Sequence, residues 1–174
     1  MERLWAPWRM KYILSTKDNG EYDCIFCGLP AEGEASYREN LILSCGERAF
    51  VIMNRYPYNN AHLMVVPRLH VADPAELSDE DYAVVCEVLR QTSVRMRQVY
   101  RPDGINVGMN LGGAAGAGIA DHCHYHLVPR WRGDTNFMPV LNDTRGISEG
   151  LDQTYDKLVD CLRDLCPAVE EKMP

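Results

Sequence analysis

The sequence predicts an α+β domain: an antiparallel sheet with one long helix packed on a face and a second helix at the C-terminus. Three observations predict it. Short apolar runs bounded by turn residues read as strands, one long stretch repeats apolar residues at helical spacing, and the order is strand, strand, strand, helix, strand, strand. At 174 residues the chain suits one domain with a core that needs no covalent staples.

The elements follow in order. Residues 1–21 form an aromatic-basic extension carrying Trp5 and Trp8, which pack on the domain, reach a second subunit, or stack on a base. Residues 22–145 are the main domain and 146–174 a helix and tail. Within the main domain, 41–45 and 49–53 are apolar runs split by Gly46-Glu47-Arg48 and suit a β-hairpin. A turn-rich loop, 54–60, leads to a buried strand at 62–68, closed by Pro67, with His70 just beyond it. Ser78 caps a helix whose first turn is acidic (Asp79, Glu80, Asp81), which suits the exposed N–H groups there. Val84, Val85, Val88, Leu89, Thr92, Met96, Val99 and Tyr100 then form one stripe down to the stop at Pro102. Strand returns at 105–110, a glycine-rich loop covers 110–118, and 131–141 is irregular with room for one short strand. Ser148 is expected to cap the last helix, which buries Leu151, Tyr155, Leu158, Val159, Leu162 and Leu165.

Charge and cysteine content exclude some classes. The net charge of −7 and the lack of a basic run argue against a nucleic-acid binder, but a small phosphorylated ligand needs only local positive potential. No stretch is apolar enough to span a membrane, and residues 1–9 lack the pattern of a signal peptide, so a cytoplasmic location is expected. Seven cysteines, an odd set with one close pair, suggest reduced thiols and a metal site. Cys24 and Cys27, two residues apart, can grip a tetrahedral metal; a redox pair has the same spacing but normally opens a helix, whereas Pro30 and Gly33 follow here.

The richest stretch is 121–130, DHCHYHLVPR, which holds three of the five histidines. In a strand the side-chain period is two, so His122, His124 and His126 share a face. Such a row is structural, metal-binding, or catalytic with one member on a metal. Beside it the loop Asn110–Gly118 has little side-chain bulk, and the N–H groups of Gly116 to Gly118 are expected to form an anion nest, with a protonated His126 adding charge. An imidazole is a good nucleophile near neutral pH, and its second ring nitrogen needs an acceptor such as a backbone carbonyl.

The stretch His122-Cys123-His124-Tyr125-His126-Leu127-Val128 resembles the motif of the histidine triad superfamily. Residues 53–57 (MNRYP) and 61–68 (AHLMVVPR) resemble the nucleotide pocket of its fragile-histidine-triad branch, and Cys24-Ile25-Phe26-Cys27 the metal knuckle of many bacterial members. The glycine-rich 115–121, which lacks the glutamine common before the triad, the Trp-x-Pro-Trp start and 133–137 (GDTNF) resemble bacterial diadenosine tetraphosphate phosphorylases. Together the matches cover about residues 22–135.

The resemblance implies roles. His124 would be the nucleophile that takes a nucleotidyl group, with His62 orienting the triad from behind. His126, Gly116, Gly118 and Asn110 would hold phosphates, and Asn54 the ribose hydroxyls. Cys24, Cys27, His70 and His122 would hold a structural zinc with no position left for water. The implied activity is cleavage of dinucleoside polyphosphates through a nucleotidyl-histidine, by hydrolysis or phosphorolysis, in a homodimer. Alternatives are an adenosine phosphoramidate hydrolase and a nucleotide-binding adaptor with little turnover.

Overall fold

A computed structural model of the protein describes residues 23–134 and 147–166. The expectations for Trp5, Trp8 and most of 131–141 lie outside these residues. The sheet has five antiparallel strands: β1 (Ile42–Cys45), β2 (Ala49–Met53), β3 (Leu63–Pro67), β4 (Gly104–Gly108) and β5 (Tyr125–Arg130), in spatial order β1-β2-β3-β5-β4. Among the described residues three α-helices accompany it: α1 (Ile25–Ala31), α2 (Asp79–Tyr100) and α3 (Leu151–Leu162).

The two faces of the sheet are used differently. Leu43, Val51, Leu63, Val65 and Leu127 point to one side, where Val85, Val88 and Met96 of α2 and Tyr155, Leu158 and Leu162 of α3 close the main core. The stripe read from sequence is therefore the buried stripe. Thr92, also on it, sits fully inside because its hydroxyl donates to the Val88 carbonyl at 2.7 Å. On the opposite side Ile42, Phe50, Ile52, Met64 and Val66 pack against Phe26 of α1. No described helix is long and apolar enough to cross a membrane.

Four local expectations change. Helix α1 starts directly after Cys24, with Pro30 inside its last turn, so the cysteine pair opens a helix after all. Pro30, the sixth residue of this helix, gives up the one bond its N–H would make to the Phe26 carbonyl. The ladder of β5 begins at Tyr125 and not at His122. Cys123 donates its N–H to the Val71 carbonyl at 2.7 Å instead of to a sheet partner, which takes His122 to His124 off the ladder. Strand β4 ends at Gly108, two residues short of the expected Asn110. Finally, Gly150 and not Ser148 occupies the cap position of α3. Ser148 instead joins Asn60, accepting from its Nδ2 at 2.8 Å and donating its backbone N–H to Oδ1 at 3.1 Å. The cap of α2 is as expected, Ser78 accepting from the Asp81 N–H at 3.1 Å.

Candidate active site and metal centre

β5 carries His126 in the middle of the sheet, paired with Met64 of β3 and Gly108 of β4. Opposed residues share a face, so His126 lies on the Met64 side, away from α2 and α3. Although His122 and His124 precede the ladder, the rings still form a row. His124 and His126 have centroids 4.8 Å apart, and His62 joins from β3's entrance at 5.1 Å from His126.

Hydrogen bonds settle which nitrogen of each ring carries the proton. The backbone N–H of Tyr58 donates to His62 Nδ1 at 3.1 Å. His62 Nε2 must then hold the proton, which it gives to His126 Nδ1 at 2.9 Å. That leaves N–H at His126 Nε2. His124 Nδ1 lies 2.9 Å from the His122 carbonyl, an acceptor only, so the proton sits on Nδ1 and the lone pair on Nε2. Among the described residues no buried side-chain nitrogen or oxygen lacks a hydrogen-bond partner. Nε2 of His124 has no such partner there, so it is open to solvent although the residue is only 5% exposed.

All of these rings are neutral near pH 7. Burial, and then the nearby rings of His126 and His124, hold His62 down to about 3. Burial and His124 bring His126 down to about 4. Burial also lowers His124, against the opposing effect of its bond to the His122 carbonyl. The expectation of a protonated His126 is therefore corrected: in the free protein it acts as a neutral donor.

The glycine loop also differs from the anion nest read from sequence. Its own carbonyls take the N–H groups: Gly116 donates to Gly113 at 3.0 Å and Ala117 to Gly112 at 3.3 Å. Gly116 has φ +90°, a backbone shape that requires glycine, and the Asn110 amide lies beside it, 3.5 Å from its carbonyl. Gly116 and Gly118 are both exposed. Asn54 accepts the Tyr56 N–H at 2.9 Å and its Nδ2 stands 3.3 Å from His62 Nδ1. These contacts use one lone pair and one amide hydrogen of Asn54 and leave one of each.

Cys24, Cys27, His70 and His122 come together across 98 residues of sequence, their ligand atoms all within 4.8 Å of one another. His122 Nδ1 lies 3.4 Å from Cys24 Sγ and 3.6 Å from Cys27 Sγ, and His70 Nδ1 lies 3.3 Å from Cys27 Sγ. Zinc bonds of about 2.3 Å to sulfur and 2.0–2.1 Å to nitrogen give tetrahedral S···N edges of about 3.6 Å. The donor set therefore fits a four-coordinate zinc. His122 Nε2 donates to the Pro67 carbonyl at 2.9 Å, which aims the Nδ1 lone pair at the cluster.

Two residues of the site were missed in sequence. Tyr58, half exposed, tilts over His62 at 4.6 Å and His126 at 5.9 Å. Phe26 lies against His124 at 4.9 Å and His122 at 5.5 Å. An aromatic four residues before His62, and another between two metal-type cysteines, were the available signals.

The HIT domain family model matches residues 38–133. The chain belongs to the HIT family. An AP-4-A phosphorylase of Mycobacterium tuberculosis is 34% identical to this HIT protein over 160 residues, 88% of this chain and 80% of the relative. The adenylylsulfatase HINT3 of Arabidopsis thaliana is 29% identical over 152 residues, 87% of this chain and 74% of the relative. In fold, a zinc-bound histidine triad family protein of Mycobacterium smegmatis superposes with a TM-score of 0.63 at 23% identity, covering 80% of this chain and 93% of its own.

Proposed function

We propose that this HIT protein cleaves dinucleoside polyphosphates such as diadenosine tetraphosphate through a nucleotidyl group on His124. The carrying observation is the open, unprotonated Nε2 of His124, held by a bond from Nδ1 to the His122 carbonyl. Nε2 attacks the α-phosphorus, and the bond to the departing polyphosphate breaks as ATP leaves. The ring becomes an imidazolium whose Nδ1–H already faces a carbonyl, so the charge forms where an acceptor waits. The Nε2–H of His126 is placed to donate to a phosphate oxygen, and His62 fixes that tautomer. Asn110 and the Gly118 end of the loop offer polar contact to the remaining phosphates, and Asn54 to the ribose. Water or orthophosphate then displaces the nucleotide from His124.

Zinc held by Cys24, Cys27, His70 and His122 would be structural: with four protein ligands, it lends rigidity to the backbone that carries His124. The zinc-bound relative from Mycobacterium smegmatis supports this reading. A second copy is proposed along β4, an edge strand in which Val107 is 50% exposed and Asn106 and Gly108 are also open.

Likeness to the AP-4-A phosphorylase favours orthophosphate as the acceptor. Incubation of diadenosine tetraphosphate with and without phosphate tests this. ADP plus ATP that requires phosphate supports phosphorolysis, whereas AMP plus ATP in both arms indicates water. Likeness to the adenylylsulfatase makes adenosine phosphoramidate the comparison substrate, and faster release of AMP from it would overturn the polyphosphate assignment.

A further inference from the structure

We propose that Phe26 is a positioning residue through which the metal centre holds the imidazole of His124. The inference rests on His124 being the nucleophile and concerns what keeps its ring still. Phe26 stands between the two cysteine ligands, and its side chain is 2% exposed. Its ring lies 4.9 Å from His124, 5.5 Å from His122 and 6.2 Å from Phe50.

Three contacts bound the His124 ring: the His122 carbonyl at Nδ1, the ring of His126, and the ring of Phe26. The first and third belong to residues tied to the metal cluster. His122 is itself a candidate ligand, while Phe26 is flanked by Cys24 and Cys27. Helix α1 begins at this end. It is seven residues long, and Cys24 at its cap makes no side-chain capping bond. A cation gripping Cys24 and Cys27 fixes the first turn of α1 and, with it, the Phe26 ring against the nucleophile. Without that cation both supports loosen together, and Nε2 spends less time aimed at phosphorus.

This makes a separable expectation. Asn54, Asn110 and the glycine loop, proposed to hold ribose and phosphates, lie on other elements, so loosening the His124 ring lowers turnover far more than it weakens binding. Small misplacements of a reacting group lower rates by about 10- to 100-fold.

Phe26→Leu and Phe26→Met keep an apolar side chain but remove the ring. In the zinc-loaded protein, zinc per chain, kcat and KM for diadenosine tetraphosphate, and the imidazole 15N–1H signals of His124 are measured. The expected result is one zinc per chain, KM within about twofold of wild type, and kcat down about 10- to 100-fold. The His124 signals should shift from a pure Nδ1–H tautomer toward a mixture. Chelating zinc from the wild-type protein should move the same signals in the same direction, with no turnover involved. Unchanged kcat with zinc bound, a kcat loss that only tracks lost zinc, or wild-type His124 signals indifferent to zinc would each overturn the proposal. Should both variants fail to fold, the zinc-removal spectrum of wild type decides alone. A His124→Ala control separates the two levels: if it still turns over, the proposed chemistry has failed, and if it is inactive while both Phe26 variants run at full rate, only this inference has.

Discussion

Acidification from pH 7 to 5 should destabilise this protein through two uncharged histidines. In the folded chain His62 is held down to about 3 and His126 to about 4, both chiefly by burial. In the unfolded chain each returns to its reference value of about 6.5. Between the two values the unfolded state binds a proton that the folded state refuses, so stability falls as the pH falls. Above about pH 7 both states are neutral and the contribution is flat. Each histidine loses about 1.36 kcal/mol per pH unit below 6.5, hence about 2 kcal/mol by pH 5 and about 4 kcal/mol for the pair. In a chain of this size that corresponds to a melting temperature lower by about 8–16 °C. Glu87, held down to about 2 by its bonds with Arg90 and Gln91, titrates well below this window. Thermal melts at pH 7, 6 and 5 at saturating zinc, for wild type and His62→Gln, provide the assay. The variant should keep about half of the wild-type pair's pH slope. Equal melting temperatures at pH 7 and 5, or a His62→Gln slope equal to wild type, would refute the burial argument.

Other expectations follow from packing and ligation. Cys24→Ser should lower zinc per chain and melting temperature together; metal loss with unchanged melting would show that the cluster does not support the fold. Leu158→Ala, at a fully buried position of α3 in the main core, should cost about 2–5 kcal/mol in a urea titration, and a loss below about 1 kcal/mol would contradict the packing described. Ser78→Ala removes the side-chain acceptor at the start of α2 and should cost about 1 kcal/mol, measured the same way.

What could be read from sequence was local and periodic. The α2 stripe and the β1–β2 hairpin are set by spacing and turn residues, and the structure keeps both. The row of histidines was legible because three of one type at alternate positions is rare. The cysteine pair was legible from its spacing, but its union with His70 and His122 only through family likeness, since Cys24 and His122 are 98 residues apart. Contacts that depend on packing were not legible. Nothing near Ser148 signals that Asn60 would take both its groups, leaving Gly150 to start α3. The loop 112–118 looked free to present its N–H groups, but short glycine segments curl and satisfy their own carbonyls, as Gly116 and Ala117 do. The charge of His126 was misread because burial is a property of the folded chain: an imidazole that is neutral inside looks the same in sequence as one that is charged outside.

The proposed chemistry is carried by residue 124. Rapid quenching of the enzyme with diadenosine tetraphosphate labelled in the α-phosphate, followed by peptide mapping, addresses it directly. An adenylyl group on His124, formed at least as fast as turnover and absent from His124→Ala, is the predicted result. Undiminished turnover by His124→Ala, or the label settling on another residue, would contradict it.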